Sequence, residues 1–170
     1  MRIACSFCKK ELGEKEPFDD ERISHGICRE CHSYFTAQLQ GLTLDEYLDG
    51  FQAPVLILNS EGRVVAANTM AAVQLRRRNP EDAQGFLGGE VMECSYARLE
   101  EGCGKTIHCS TCTIRNLVMQ TLQSKQGVSD MVVTLNTDSG HSQLVISTSY
   151  VDGLVRIMIG DMQLTNSPEE

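Results

Sequence analysis

Short apolar runs separated by turn-forming residues dominate two parts of the chain. In 54–68, the runs PVLIL and VVAA lie on either side of the cluster NSEG, which is typical of a β-hairpin. In 131–161, MVVTLNTDSGHSQLVISTSYVDGLVRIMIGD contains three such runs, separated by NTDSG and VDG. This second part predicts three strands that form an antiparallel meander.

The residues between these two parts favour helices. The stretch TMAAVQLRRR, at 69–78, is helical by composition, and TIRNLVMQTLQS, at 113–124, has helical periodicity. The apolar residues that recur at helix spacing in the second stretch are Ile114, Leu117, Val118 and Leu122. The order along the chain is therefore two strands, helices and three strands.

Two short helical stretches, 32–40 and 42–49, precede the first of these strands. Thr43 followed by Glu46 fits a capping box, in which each side chain satisfies a backbone donor at the helix start. Three residues of the second stretch form one apolar face: Leu44, Tyr47 and Leu48. We expect this face to pack on its own domain, with a homodimer contact through the helices of 34–50 as the alternative.

Length and charge restrict the class of protein. A chain of 170 residues has room for one core of ordinary size and a small second unit. No run approaches the roughly 18 consecutive apolar residues of a membrane span, and the first residues, MRIACSFC, lack an apolar export core. We therefore expect a soluble, cytoplasmic protein. Its net charge of -8 works against non-specific binding to nucleic acid, and the one basic cluster, 76–78, is short.

The chain contains 8 cysteines, and thiols stay reduced in the cytosol, so metal binding is the leading explanation for them. Cys5 with Cys8, and Cys28 with Cys31, form two Cys-x2-Cys knuckles with 19 residues between them, a spacing typical of zinc sites. Two knuckles complete a tetrahedral shell of four thiolates, which leaves no open position for a substrate. We expect residues 1–33 to form a zinc ribbon in which the metal supplies most of the folding free energy.

A rival interpretation concerns CRECH, at 28–32, which also fits the Cys-x-x-Cys-His pattern of c-type haem attachment. Haem attachment normally requires an exported chain, and it would leave Cys5 and Cys8 without a role. We therefore expect His32 to be an exposed helix residue and His25 to be a turn residue, and neither to be a ligand.

The other four cysteines follow the spacing Cys94-x8-Cys103-x5-Cys109-x2-Cys112. Glycines flank Cys103 on both sides, so the backbone there can turn sharply and approach an ion closely. Zinc would clamp the loop, whereas an iron-sulfur cluster also takes four thiolates and could respond to oxygen or redox state. The spacing matches neither common ferredoxin pattern, so both metals remain open.

The last two cysteines allow further interpretations. Ser110 or Thr111 would cap the helix that follows and place Cys112 near a helix N-terminus, where the dipole favours the thiolate. Cys109 and Cys112 could instead form a reversible disulfide in a thiol-based redox switch or oxidoreductase. Cys94 could be an ordinary buried cysteine.

Two resemblances to known families bear on these expectations. SHGICREC, following a Cys-x2-Cys knuckle, resembles the small zinc ribbons of bacterial signalling proteins. Residues 43–162 resemble a PAS domain in the order of their elements, in ILNSEGRVVAAN leading into a helix near Thr69, and in GGEVMEC. The stretch from GEVMEC to GCGKTIHCSTCTIRNLV is similar to a subgroup of bacterial PAS proteins with a cysteine-rich insertion before the last PAS helix.

The PAS resemblance implies an α+β fold with a five-stranded antiparallel sheet and helices on one face. It also implies a sensing or interaction module that binds a cofactor or small ligand between sheet and helices. With it the chain divides into four expected parts: a zinc ribbon at 1–33, a helical connector at 34–50, a PAS domain at 51–163 and a flexible tail at 164–170. If the second cysteine set holds an iron-sulfur cluster, its loss should loosen the helix from Thr111 onward.

No group of residues predicts an enzyme. GFLGGE, at 85–90, is glycine-rich but lacks the Lys and the Ser or Thr of a P-loop. DDE, at 19–21, is typical of a solvated turn, since runs of charge usually lie in water. We therefore expect a signalling module without catalytic activity, which acts through contact with a partner protein that the sequence does not identify.

Overall fold

The computed structural model describes residues 1–39 and 41–164, and their side chains except those of 37, 38 and 161–164. A small sheet lies at the N-terminus, with strands β1 (Arg2–Cys5), β2 (Glu11–Glu14) and β3 (Ile23–Gly26) in the order β2-β1-β3. Strand β1 pairs antiparallel with β2 and parallel with β3. Helix α1 (Arg29–Gln38) follows, so it crosses the expected boundary between ribbon and connector.

Helix α2 (Leu44–Asp49) begins at the capping box that the sequence predicts. The Glu46 backbone N–H donates to Thr43 Oγ1 at 3.3 Å, and the Thr43 N–H donates to Glu46 Oε2 at 2.9 Å. Two orphan backbone donors are thus satisfied at the start of a helix that is only 6 residues long.

The main sheet has five antiparallel strands in the order β5-β4-β8-β7-β6. Its strands are β4 (Val55–Leu58), β5 (Val64–Ala67), β6 (Val128–Thr137), β7 (Gly140–Val151) and β8 (Leu154–Leu164). The predicted hairpin is β4–β5 and the predicted meander is β6–β8, which confirms the α+β fold class. The expected tail at 164–170 begins on the last residue of β8, and its remainder, 165–170, lies outside the described residues.

Three helices cover one face of this sheet: α3 (Thr69–Gln74), α4 (Gly88–Val91) and α5 (Thr113–Ser124). Short 3-10 turns lie between them at Pro80–Ala83, Ser95–Arg98 and Ile107–Thr111. The prediction for α5 is confirmed, but α3 is shorter than the predicted 69–78. It ends because Leu75 leaves helical geometry and Arg76 adopts a left-handed conformation with φ 53°. Over the described ranges, no helix is both long enough and apolar enough to cross a membrane.

The sheet has a separate core on each face because side chains alternate along its strands. On the inner face, sheet residues pack against the apolar sides of α3, α4 and α5; they include Leu56, Leu58, Val133, Ile146, Val155 and Ile157. The first sheet together with α1 and α2 is called the N-terminal unit. On the outer face, the buried sheet residues that pack against this unit are Val55, Ile57, Val65, Ala66 and Leu154. Tyr34 of α1 and Leu48 of α2 are fully buried in this outer core.

Candidate metal centres

The first four cysteines come together where the N-terminal sheet meets α1. Cys5 ends β1, Cys8 lies in the turn that follows, Cys28 is the N-cap of α1, and Cys31 lies in its first turn. All four are buried, and their sulfurs lie within 4.8 Å of one another. Tetrahedral zinc bound at about 2.3 Å holds its sulfurs about 3.8 Å apart. The distance between Cys8 Sγ and Cys28 Sγ is 3.7 Å, which fits that geometry.

Backbone groups orient these sulfurs. The Cys28 N–H donates to Cys5 Sγ, and the Cys31 N–H donates to Cys28 Sγ, each at 3.4 Å. The hydrogen bond from Cys31 lowers the pKa of the Cys8 thiol to about 5, whereas burial raises the pKa of Cys28 to about 12. One thiolate therefore forms readily, whereas ionisation of Cys28 is opposed by burial and, to a smaller extent, by repulsion from the negative charge of Cys8. A cation at the centre of the cluster would remove that repulsion and hold four thiolates.

Neither histidine near this cluster belongs to it. His32 is an exposed residue of α1, as predicted, and His25 is also exposed. The prediction that His25 lies in a turn is wrong, because it lies on β3 and pairs with Ala4 of β1. Since Cys5 and Cys8 share one cluster with the CRECH cysteines, the geometry favours a metal site over haem attachment.

The second four cysteines line a cavity of about 540 Å³ between the inner face of the sheet and the helices. Cys94 follows α4, Cys103 lies in the next loop, Cys109 lies in the last 3-10 turn, and Cys112 is the N-cap of α5. Cys109 is 8% exposed and the other three are half-buried. The first four cysteines are called the ribbon cluster below. In the part of the chain that the structure describes, they are the one group of three or more possible metal-ligand atoms that all lie within 4.8 Å of one another. The second set thus shares a cavity without repeating the ribbon's close packing.

The N-cap of α5 differs from the prediction. The Ser110 and Thr111 hydroxyls donate instead to the carbonyls of Ile107 and His108, at 2.7 and 3.2 Å, within the preceding 3-10 turn. Cys112 takes the cap position, and its sulfur accepts the Arg115 N–H at 3.5 Å. A ligand on this sulfur would therefore act directly on the first turn of α5.

The surroundings of Cys109 favour its thiolate form. The Gly104 N–H donates to its sulfur at 3.1 Å, and the Thr106 hydroxyl lies 3.2 Å away. Burial raises the pKa of Cys109, but these hydrogen bonds and the charge of Arg115 outweigh burial and hold that pKa below its usual value. For Cys103 burial dominates and raises the pKa, and the other three cysteines raise it further.

Residues other than the predicted cysteine ligands also lie near these thiols. Gly89 of α4 lies so close to Cys103 that a Cβ there would stand 2.5 Å from its sulfur. The exposed His108 ring stacks on Tyr96, with ring centroids 4.0 Å apart. Lys105 and Arg115 lie at the exposed side of the cavity, whereas its deeper wall is apolar and includes Leu56, Met92, Val118, Leu135 and Ile157. The sequence shows the glycine pair in GFLGGE, but the close contact of Gly89 with Cys103 depends on tertiary structure.

Comparison with known proteins identifies no family for this chain. No family model matches it, and no curated protein matches it. Solved structures similar to it include a domain of a sensory box sensor histidine kinase/response regulator from Geobacter sulfurreducens, with 14% identity, a TM-score of 0.41, and coverage of 64% of this chain and 82% of that one. The photoactive yellow protein domain of the sensor histidine kinase Ppr from Rhodospirillum centenum has 13% identity and a TM-score of 0.44, with coverage of 74% and 98%.

A third similar structure is the PAS domain of a protein from Desulfitobacterium hafniense, with 17% identity, a TM-score of 0.35, and coverage of 68% of this chain and 98% of that one. Since all these identities and TM-scores are low, the fold class rests on this chain's own sheet order and helices. Its function is argued from its cysteines and cavity.

Proposed function

We propose that this protein is a signalling module in which a structural zinc ribbon supports a sensor domain with a second, functional metal site. The observation that carries the proposal is that four cysteines line the inner cavity, with Cys112 as the N-cap of α5. A metal bound there would connect the loop after α4 to the first turn of α5. Occupancy of the site would then control the conformation of that helix.

The ribbon metal has a structural role in this proposal. Cys5, Cys8, Cys28 and Cys31 share one buried core with sheet residues such as Val55 and Leu154. Zinc bound to them would close the turns of the N-terminal unit and hold that unit against the outer face of the sheet. Because the shell of four thiolates is complete, this site has no open coordination position for a substrate.

Helix α5 connects the second site to the surface. At its start, Thr113 Oγ1 accepts the Thr134 N–H of β6 at 3.2 Å, and further along Thr121 and Thr148 of β7 share a hydrogen bond of 2.7 Å. A displaced first turn would break the contact with β6 at the edge of the sheet. The signal would leave through an altered contact with a partner protein.

The partner contact that we propose lies away from the helices of 34–50. Tyr34 and Leu48 are fully buried in the chain's own outer core, so the apolar sides of α1 and α2 are already in use. A homodimer through those helices would have to use their exposed polar sides.

Metal content of single variants tests the proposal. Full-length protein, purified without oxygen, should contain metal at both cysteine sets, and Cys103→Ser or Cys112→Ser should remove the metal of the second set alone. Ser110→Ala is the matched control, because Ser110 is exposed two residues before Cys112 and its hydroxyl donates to the Ile107 carbonyl. If neither cysteine variant loses metal relative to Ser110→Ala, the second site is refuted.

A second candidate function is a thiol switch that uses Cys109 and Cys112. The lowered pKa of Cys109 favours it, because the thiolate is the nucleophile in disulfide exchange. Attack of Cys109 on oxidised glutathione, followed by attack of Cys112 on the mixed disulfide, would form the disulfide and release two molecules of glutathione. This candidate predicts that protein free of metal forms a Cys109–Cys112 disulfide in a glutathione buffer, which peptide mass mapping would detect.

A further inference from the structure

We infer that the second cysteine set holds an iron-sulfur cluster and not a single zinc ion. This inference rests on the proposed function, because it assumes that Cys94, Cys103, Cys109 and Cys112 bind metal. It goes further by assigning the chemical class of the cofactor. Two properties of the site carry it, the separation of the sulfurs and the cavity that they line, and the surrounding groups are compatible with it.

The separation of the sulfurs differs between the two sets. A single tetrahedral zinc requires all four sulfurs about 3.8 Å apart, and the ribbon set meets this with all sulfurs within 4.8 Å. Among the described residues, no three sulfurs of the second set lie that close to one another. In an iron-sulfur cluster the four thiolates are divided among two or more iron atoms joined by inorganic sulfide, so they need not all lie as close together as around one zinc ion.

The space around the second set also differs. A zinc ion enclosed by four sulfurs needs no cavity, and the ribbon cysteines are simply packed into the outer core. The second set lines a cavity of about 540 Å³. Such space suits a cofactor that brings iron and sulfide of its own.

The surrounding groups suit a cluster with a negative charge from four thiolates. Backbone N–H groups of Gly104 and Arg115 donate to the sulfurs of Cys109 and Cys112, at 3.1 and 3.5 Å. Hydrogen bonds to ligand sulfur and nearby charge are the means by which proteins tune such clusters. The cationic side chains of Lys105 and Arg115 lie at the same cavity and offset the thiolate charge.

Iron and sulfide analysis of the full chain tests the inference. Protein made with added iron, purified without oxygen and reconstituted with ferrous iron and sulfide should contain iron and acid-labile sulfide in equal amounts, together with zinc at the ribbon. It should absorb visible light and give a cluster signal in Mössbauer spectra. Cys94→Ser, Cys103→Ser and Cys112→Ser should each lose iron and sulfide and keep zinc, while Ser110→Ala should keep both.

The alternative outcomes separate this inference from the proposal on which it rests. Two zinc ions per chain and no sulfide after reconstitution would overturn the cluster and leave a zinc-bound sensor site. Iron and sulfide that persist in the three cysteine variants would also overturn it, because the cluster would then lie elsewhere. Absence of any metal that depends on the second set would refute the proposed function as well.

Discussion

Replacing Gly89 by alanine tests how closely the second cysteine set is fitted to α4. The new Cβ would stand 2.5 Å from Cys103 Sγ, 3.4 Å from Cys103 Cβ and 3.6 Å from Cys94 Cβ. Since real Cβ contacts are longer than the first of these distances, Cys103 must move. Overpacking of this kind costs about 1–3 kcal/mol. If the displacement of Cys103 destabilises the metal-bound state by this amount, the affinity of the second cysteine set for its metal should fall about 5- to 150-fold, because about 1.4 kcal/mol corresponds to a factor of ten.

Gly88→Ala is the matched control for this prediction. It changes the neighbouring residue of the same helix, where a Cβ would meet only Gly62 O and Leu58 Cδ1, both at 3.8 Å. Alanine is a better helix former than glycine by about 1 kcal/mol, so this variant should fold at least as well as the parent.

The assay for both glycine variants is metal retention against increasing concentrations of a chelator, measured as metal per chain after gel filtration. Gly89→Ala should release its second-site metal at a lower chelator concentration than either the parent or Gly88→Ala, whereas all three proteins should retain metal at the first cysteine set equally. Equal release from all three proteins would show that the contact between Gly89 and Cys103 does not shape the site, and the reasoning would fail.

Two other predictions concern the outer core and the thiolate. Leu48→Ala should lower the free energy of unfolding, measured by urea denaturation, by about 2–5 kcal/mol, because Leu48 is 0% exposed. As a control, Val73→Ala should change it by less than about 0.5 kcal/mol, because Val73 is 73% exposed. Similar losses in the two variants would contradict the packing of α2 on the sheet. Thr106→Val should raise the pKa of Cys109, because it removes the hydrogen bond between the Thr106 hydroxyl and the Cys109 sulfur. In metal-free protein, alkylation of Cys109 should therefore shift to higher pH than in the control Ser110→Ala. Identical dependence of the alkylation rate on pH in the two variants would contradict this role of Thr106.

The elements that the sequence predicted well are those whose local pattern agrees with their final surroundings. In α5 the apolar spacing of Leu117 and Val118 matches their burial, and NSEG supplies the turn between β4 and β5. Helix α3 was predicted too long because composition does not register the left-handed conformation at Arg76. The cap of α5 was assigned to hydroxyl residues, which are the usual caps, but the 3-10 turn before it uses those hydroxyls.

The candidate sites differ in how far spacing determines them. The ribbon cluster follows from two short knuckles, since each needs only one tight turn to aim its sulfurs. The second set depends on how the loop after α4 packs, so its contact with Gly89 is tertiary. The position of the N-terminal unit on the outer face of the sheet likewise depends on a core that brings together residues distant in sequence, such as Tyr34 and Leu154.

Hydrogen exchange at the start of α5 tests the central claim, that the second metal site controls this helix. Full-length protein with both sites occupied should be compared with protein in which only the second site has been emptied by a chelator, with retained ribbon zinc verified by metal analysis. Amides of 104–118 should exchange faster when the second site is empty, while those of the ribbon and of β4 should be unchanged. Equal exchange over 104–118 in the two samples would contradict this claim.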